Sequence, residues 1–490
     1  MSTDSRRARG RDADAGASPR VDRRRDRRRP RTRRFAGPLV AVVAALALVA
    51  TGGAVLTTVQ GPRATAVRVD PQAAVESAGS RVIVTTTQSL VDVDPAQVTV
   101  EPAADFTVDT SGRQIGIRFT LPLRDATDYR IRIDGVQGLG GGPAATIEQE
   151  FTTPALEVFV LQRGGDGEDD TIFRTSLAGD DAVPVFEHEH IEDFRATATH
   201  LAIVSEDGAG DSTIIVTRRD GSEPRDLPLP GRGVVTNLQT ADRGDLIGYT
   251  FTDGDIGAGG TRESALFTAS LSDARADDEP APLEIEGADA RIDDWRFVPG
   301  TDAVLLLGFD SALSLASTSG GPPVALGNAV TIDGIARGSA EAIVQRATGL
   351  VAIDLATAEE RALPATDPAA GETQSVVALP GDADTTLRVL SRLDGFTVLS
   401  TDVAVVDDAG DVRSVFEVDP SDQLMHACVS PSSRYAALLV APEVVDNPYD
   451  AYLLPLPERL QTHIVDLVTG DEVSALGGFD LSWCQSAPRP

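Results

Sequence analysis

A recurring spacing of strand-like segments constrains the fold of this chain more than any other feature of its sequence. After residue 153, short apolar runs occur in groups of three or four, separated by turns rich in Gly, Pro and Asp. Each group opens with a similar segment, and successive openers lie 40 to 58 residues apart: IEDFRATA near 191, VVTNLQTA near 234, IDDWRFVPG near 292, IDGIARGS near 332, QSVVALPG near 374 and LMHACVSPSS near 424. This period predicts an all-β body built as a β-propeller, in which each four-stranded blade buries its faces against its neighbours.

The last strand-like segment predicts how the propeller closes. In FDLSWCQSAP, the apolar residues Phe479, Leu481 and Trp483 alternate with polar ones, which is the period of a half-buried strand. The first group after residue 153 offers only three strands and lacks an inner one. We therefore expect the C-terminal strand to complete the first of seven blades within residues 154–490. Six blades are the alternative, if the weak group at 332–368 merges with a neighbour.

The chain contains two cysteines, and their positions agree with this closure. Cys428 and Cys484 occupy similar places in the inner strands of two blades that would be adjacent in the ring. We predict a disulfide between them, because disulfides persist in proteins outside the cytoplasm. Two buried, unpaired thiols are the alternative.

The N-terminal region has the pattern of a membrane anchor. Residues 1–34 hold 14 Arg and 5 Asp, whereas the whole chain carries a net charge of −32. A charge-free apolar segment follows and is long enough to span a bilayer, so we predict a transmembrane helix at 35–61. The basic cluster before it predicts a disordered cytoplasmic tail at 1–34, with everything after the helix outside the cell. A cleaved secretory signal is the alternative to this uncleaved anchor.

Residues 80–153 form the first compact unit expected after a linker at 62–79. Five or six short strands with β-type alternation fit a small β-sandwich. The run DYRIRIDGVQGLGGGPA followed by EFTTP resembles bacterial Ig-like domains of the S-layer type. The chain departs from that family at Leu139 to Gly142, where a Gly run replaces the usual polar turn. The resemblance implies a spacer or adhesion module without catalytic residues.

The later repeats also resemble known families. The segments SPSSRYAALLV and VDLVTGDEV match the blade pattern of WD40-like and TolB-like propellers, and only these two segments match it well. All 43 basic residues are Arg, which is typical of a GC-rich bacterial genome. We therefore expect a protein of the bacterial cell membrane.

Few residues carry recognisable chemistry. His188 and His190, two apart on a strand, are weak metal-ligand candidates together with Glu192. Two acidic loops are weaker candidates for calcium, through Asp166, Glu168 and Asp170 and through Asp253 and Asp255. Solvated strands and turns are the alternative at each of these places, so no cofactor is expected. Tyr449 and Tyr452, in a long Pro-rich insertion, are candidates for an interface.

The function expected from these features is binding rather than catalysis. No nucleophile, phosphate-binding or zinc-protease motif occurs, although catalytic residues in a propeller funnel need no local motif. The acidic body argues against nucleic acid, which needs a basic surface. We expect a membrane-anchored scaffold that binds an extracytoplasmic protein, peptide or glycan. The alternative is an extracytoplasmic hydrolase or lyase with a carboxylate or metal site in the funnel.

Overall fold

The structure is a computed structural model that describes residues 61–488 except 166, 243, 244 and 396. The predicted tail at 1–34 lies outside the described residues, and so does the predicted transmembrane helix at 35–61, apart from Gly61. In the part of the chain that is described, no helix is both long and apolar enough to cross a membrane. The described chain is almost entirely β, as the sequence predicts.

Residues 64–152 form two antiparallel sheets. The strands are β1 (Ala64–Arg68), β2 (Arg81–Thr86), β3 (Val98–Glu101), β4 (Phe106–Ser111), β5 (Gln114–Phe119), β6 (Asp128–Val136) and β7 (Ala145–Thr152). One sheet has the order β1-β2-β5-β4 and the other the order β3-β6-β7. The alternating residues Tyr129, Ile131 and Ile133 of β6 are buried in one core shared with strands of the first sheet. We refer to this unit as the sandwich.

The segment at 62–79, predicted as a linker, contains one strand and one short helix. Strand β1 pairs with β2, and a short helix α1 (Pro71–Glu76) follows it. The side chain of Asp70 caps this helix by accepting a hydrogen bond from Ala73 N at 3.1 Å, and Pro71 stands at its first turn. Apolar and polar residues do not alternate clearly in β1, so its position depends on the pairing with β2.

Seven further sheets follow the sandwich. The first has three strands, β8 (Glu157–Gln162), β9 (Asp170–Ser176) and β10 (Val183–His188), and the other six have four antiparallel strands in chain order. These are β11 (Ile191–Ala196), β12 (His200–Glu206), β13 (Ser212–Arg218) and β14 (Arg225–Leu227); β15 (Gly233–Thr240), β16 (Leu246–Asp253), β17 (Ala265–Ser270) and β18 (Ala281–Pro282); β19 (Ile292–Phe297), β20 (Ala303–Gly308), β21 (Ala312–Ser317) and β22 (Val324–Asn328); β23 (Thr331–Ile335), β24 (Glu341–Arg346), β25 (Gly349–Asp354) and β26 (Glu360–Ala362); β27 (Glu372–Leu379), β28 (Asp382–Asp394), β29 (Thr397–Val406) and β30 (Val412–Val418); and β31 (Gln423–Val429), β32 (Tyr435–Ala441), β33 (Gln461–Asp466) and β34 (Glu472–Gly477). Short 3-10 helices lie at Pro95–Gln97, Asp273–Arg275, Pro368–Ala370 and Val444–Asp446.

Each opener in the sequence is the first strand of a four-stranded sheet, and these first strands lie beside one another from sheet to sheet. The weak group near 332 forms a sheet of its own, β23 to β26. Four-stranded antiparallel sheets repeated in this way are the architecture of a β-propeller.

Hairpins within the sheets use the turn residues that the sequence indicates. In DLVTG, the carboxylate of Asp466 accepts hydrogen bonds from Val468 N at 2.8 Å and Thr469 N at 3.2 Å. Gly470 then takes a φ of +79°, which a residue with a side chain rarely adopts. Asp354 makes the equivalent turn in DLATA, where its carboxylate accepts hydrogen bonds from Ala356 N at 2.8 Å and Thr357 N at 3.0 Å.

The C-terminal segment joins the first of the seven sheets through an isolated bridge at Phe479 rather than as the continuous strand that the sequence predicts, and we call this segment the closing strand. Leu161 on β8 and Phe479 exchange two backbone hydrogen bonds of 2.9 and 2.8 Å, and Ser482 N donates to Phe159 O at 2.9 Å. One face of β8 packs against β11 and β12 through Phe159 and Leu161. The other face packs through Val158 against strands of the last sheet. The first sheet is therefore held between the second and the last, which closes a ring.

The predicted disulfide is confirmed. Cys428 and Cys484 are bonded, with their Cα atoms 5.5 Å apart and a sequence separation of 56. Cys428 is on β31, the first strand of the last sheet, and Cys484 follows the closing strand. The disulfide thus joins the two ends of the ring covalently.

The sandwich packs against one end of the ring strands. Tyr435 Oη donates to Asp125 Oδ1 at 3.1 Å, and Arg434 Nη1 lies 3.6 Å from the same oxygen. Arg219 Nη1 lies 3.1 Å from Glu76 Oε2 of helix α1. We call this end of the ring the sandwich-facing end. The opposite end, which carries the connections β8–β9, β10–β11, β12–β13 and β32–β33, is called the distal face.

Candidate functional site on the distal face

A large cavity opens on the distal face between the first, second and last sheets. Its volume is about 1590 Å³. Its walls are the four connections that define this face, together with residues 477–479 at the start of the closing strand. Seven carboxylates and two guanidinium groups occur among the described residues that line it: Glu168, Asp169, Glu189, Glu206, Asp207, Asp450, Glu458, Arg163 and Arg459. The cavity is therefore strongly acidic, and it attracts positively charged groups.

The β32–β33 connection at 442–460 forms one wall and is braced internally. The side chain of Asn447 donates to Pro442 O at 3.1 Å and to Arg459 O at 2.8 Å, and it accepts from Arg459 N at 3.0 Å. These bonds join the two ends of the connection. Asp450 Oδ1 accepts from Leu456 N at 3.0 Å, and the Leu456 side chain is buried in the core between sheets. The connection is therefore a shaped part of the fold.

Arg163, at the end of β8, connects three segments of the distal face. Its Nη1 donates to Asp450 Oδ2 at 2.7 Å and to Leu454 O at 3.2 Å. Its Nη2 donates to Glu192 O at 3.2 Å, and the guanidinium lies 3.8 Å from the centroid of the Tyr452 ring. The side chain is 8% exposed, so these charge-assisted bonds form away from water and are stronger than surface pairs.

Tyr452, one of the two tyrosines predicted at an interface, packs inside this network. Its ring stacks on the His190 imidazole, with centroids 4.1 Å apart. Its hydroxyl donates to Asp170 Oδ1 at 2.7 Å. Burial raises the pKa of Tyr452, and the hydrogen bond to Asp170 raises it further, so the phenol stays protonated at physiological pH. Tyr449 lines the same cavity and is 49% exposed.

His190 and Glu192, predicted as weak metal ligands, lie together, and Glu206 joins them. One potential ligand atom from each of the three lies within 4.8 Å of the other two. His188 is not a member of this group; its Nδ1 accepts a hydrogen bond from His190 N at 3.3 Å. The chain leaves β10 at His188 and enters β11 at Ile191, so the two imidazoles are not on one continuous strand.

Two of the five carboxylates predicted as calcium candidates, Asp170 and Asp253, are bonded within the protein. Asp170 accepts hydrogen bonds from Gly164 N at 2.8 Å and from Ile191 N at 2.6 Å, in addition to Tyr452. Asp253 accepts from Arg262 Nε at 2.9 Å, and the amide and guanidinium of Arg262 lower the pKa of Asp253. Asp166 lies outside the described residues. Asp170 and Asp253 therefore position loops of the fold.

The first strands of the ring carry a second set of charges. Arg195 Nη1 donates to Asp480 Oδ2 of the closing strand at 2.6 Å and lies 2.8 Å from Asp193 Oδ1. Burial raises the pKa of Asp193 well above its usual range; Arg195 opposes this shift and Asp480 adds to it. Asp294 and Arg296 on β19 form a comparable pair. The Arg195–Asp480 bond joins β11 to the closing strand, the other two pairs each lie on one strand, and all of these charges are buried.

Sequence reasoning missed Arg163, Asp450 and Glu206. Arg163 and Asp450 lie in connections and Glu206 ends β12, all without a motif of their own, and their contacts join positions distant in the chain. The inner-strand pairs had a detectable signal, since EDFRA at 192–196 and DDWRF at 293–297 share an Asp-aromatic-Arg pattern. The aromatic residues of both segments, Phe194 and Trp295, are fully buried between sheets.

No family model and no curated protein matches this chain. Similar solved structures include a putative TolB from Agrobacterium tumefaciens, with 15% identity, 54% of this chain and 90% of that chain covered, and a TM-score of 0.37. A putative 6-phosphogluconolactonase from Bacteroides fragilis NCTC 9343 has 12% identity, coverage of 66% and 98%, and a TM-score of 0.39. An uncharacterized protein from Listeria monocytogenes EGD-e has 10% identity, coverage of 66% and 91%, and a TM-score of 0.40. Similarity at this level does not establish a common function, and the propeller architecture rests on the sheets described above.

Proposed function

We propose that this protein is a single-pass, membrane-anchored binding or scaffold protein of a bacterial cell. In this proposal a seven-bladed propeller, carried on an Ig-like sandwich, presents its distal face to an extracytoplasmic protein, peptide or glycan. The observation that carries the proposal is the acidic cavity of about 1590 Å³ at the end of the ring that the sandwich does not cover. Rigid sheets that hold varied loops around one rim are suited to recognition.

Two further features support an extracytoplasmic location. The Cys428–Cys484 disulfide is of the kind that persists in oxidising compartments. The charge-free segment at 35–61, preceded by the Arg-rich tail, has the pattern of an anchor whose N-terminus is cytoplasmic. Membrane fractionation tests the anchor: the full chain should sediment with membranes, and a chain beginning at residue 62 should not. Equal distribution of the two chains would contradict it.

Affinity capture tests the binding proposal. The tagged full chain is recovered from detergent-solubilised membranes and compared with a triple variant of exposed cavity residues, Glu189→Ala, Tyr449→Ala and Glu458→Ala. The matched control, Glu284→Ala with Glu286→Ala, also removes two exposed carboxylates but on another connection. We expect one or more partners to be retained by the control and lost by the triple variant. A partner set unaffected by the triple variant would contradict the proposal.

A hydrolase or lyase is the second candidate, and one observation favours it. His190 and Glu206 line the cavity and lie next to the buried carboxylate of Glu192, which is an arrangement open to a substrate. The inner-strand carboxylates favour it less, because Asp193 and Asp480 share one arginine. Turnover of ester or glycoside substrates that disappears in Glu206→Gln would support this candidate.

A further inference from the structure

We propose that His190, Glu192 and Glu206 form a binding site for a divalent transition-metal ion, with an open coordination position toward the distal cavity. The three potential ligand atoms come from the β10–β11 connection, from β11 and from the end of β12. They lie within 4.8 Å of one another. One imidazole nitrogen with two carboxylate oxygens suits Zn²⁺ and its first-row neighbours better than the all-oxygen sites that calcium and magnesium prefer.

The distances are close to those that coordination requires. Ligands bound tetrahedrally at about 2.1 Å from Zn²⁺ lie about 3.4 Å from one another. His190 Nε2 lies 2.8 Å from Glu192 Oε1, so this pair must open slightly to bind one ion. The Glu206 oxygen lies within 4.8 Å of both atoms, which is within reach of the spacing that coordination requires.

The ligands are held by a surrounding shell. The backbone amide of Leu453 donates to Glu192 Oε1 at 2.8 Å, and the Glu192 side chain is only 3% exposed. The Tyr452 ring stacks on His190 and is itself anchored to Asp170, which restricts the imidazole plane. Residues that orient metal ligands in this way are a common part of metal sites.

The local charge also favours a cation. Within the described residues, the carboxylate of Glu206 has no hydrogen-bond or ion-pair partner, although it lies beside a second carboxylate. Arg163 Nη2 lies 3.7 Å from Glu192 Oε2, but the shorter bond of this guanidinium, 2.7 Å, goes to Asp450. A divalent ion would neutralise both glutamates. His190 and Glu206 line the cavity, so a water or an oxygen of a ligand can complete the coordination from that side.

Zinc titration of the full chain in detergent tests the site. The protein carries no histidine tag, is stripped with a chelator that is then removed, and is titrated with Zn²⁺ by calorimetry. We expect one equivalent to bind, with at least a tenfold loss of affinity in His190→Ala and in Glu206→Gln. His188→Ala is the matched control and should bind as the wild type does, since His188 is outside the group.

The outcomes separate metal binding from loss of folding. Melting temperatures without metal should be similar in all four proteins, and Zn²⁺ should raise the melting temperature of the wild type and of His188→Ala only. Absence of binding by the wild type would overturn the proposal. Unchanged affinity in both His190→Ala and Glu206→Gln, or an equal loss in His188→Ala, would overturn the assignment of the ligands.

Discussion

The two ends of the ring strands differ in how their side chains are used. At the sandwich-facing end, polar side chains of the ring contact the sandwich. Asp125 of the sandwich is 7% exposed; it accepts a hydrogen bond from Tyr435 Oη, and Arg434 Nη1 lies 3.6 Å from it. A Cβ added to Gly338 or Gly381 would lie 2.8 Å from the side chain of Leu121, so the two units are in close contact. The disulfide Cys484 lies at the same end and lines a cavity there with sandwich residues.

On the distal face, a comparable density of charge surrounds an open cavity. Its glutamates at 189 and 458 are exposed, and Glu206 has no partner within the described chain. Buried ion pairs such as Arg163–Asp450 shape the cavity without filling it. The difference shows that one repeated sheet architecture can place contacts with a second unit at one end and leave exposed carboxylates around a cavity at the other. The following predictions test this division, beginning with the largest effect.

Truncation after Gly478 should abolish the cooperative unfolding of the ring. It removes the buried side chains Phe479, Leu481 and Trp483 and the disulfide, and it leaves the buried Arg195 without Asp480. Burial of each large apolar side chain contributes about 1.5–3 kcal/mol, so the total loss exceeds about 5 kcal/mol. Thermal unfolding followed by circular dichroism measures it. A chain ending at Ser486 keeps the strand and disulfide and should melt normally; similar melting of both chains would contradict ring closure by this strand.

Asp125→Ala should destabilise the protein by about 2 kcal/mol while leaving distal binding unchanged. The substitution leaves the buried Tyr435 Oη without its acceptor and removes one of the two carboxylates beside Arg434, which keeps its bond to Asp466. Glu189→Ala, an exposed carboxylate of the distal face, is the control and should change stability by less than about 0.5 kcal/mol. Urea unfolding of the two variants measures the difference. Equal destabilisation by both substitutions would mean that the two ends are not divided as described.

Asp333→Asn should change the pH dependence of stability. Asp333 lies on β23 beside a small cavity that also contains Arg337 and Trp483. Burial raises the pKa of Asp333 to about 6, against Thr331 and Arg296, which lower it. The folded protein therefore holds this proton more tightly than the unfolded chain, and the contribution of Asp333 to stability falls as pH rises from about 4 to about 6.

Asparagine cannot ionise, so the variant should be more stable than the wild type by about 2 kcal/mol at pH 7 and nearly equal to it at pH 4. Urea midpoints measured across this range test the expectation. Asp408→Asn, at an exposed turn residue, removes the same charge and is the matched control, which should change the free energy of unfolding at pH 7 by less than about 0.5 kcal/mol. A wild-type advantage at pH 7 would contradict the burial of an unfavourable charge at this position.

Much of the fold could be predicted from the sequence because its signals are local. Alternation in DYRIRIDGV correctly places Tyr129, Ile131 and Ile133 in a core, and the six openers are each the first strand of a sheet. The pairing of the two cysteines was predicted from their similar positions in the inner strands of two blades expected to be adjacent. Strand β1 was missed, because its residues are mostly exposed and lack an apolar alternation.

The candidate site could be predicted only in part. His190 and Glu192 were found because they lie close in sequence, whereas Glu206 joins them from the next strand. Tyr452 packs against Arg163, 289 residues earlier in the chain, and its place at an interface stays a prediction. No local pattern reports such a contact.

The sequence by itself determined the β class, the repeat, the two cysteines and the division of charge between a basic N-terminal segment and an acidic remainder. These properties depend on residue type and spacing along the chain. Only the tertiary structure decided which connections meet, because closing the ring brings the first and last sheets together and carries their long connections to one end. The acidic cavity, the Arg163 network and the His190–Glu192–Glu206 group all arise at that junction, where residues distant in sequence become neighbours.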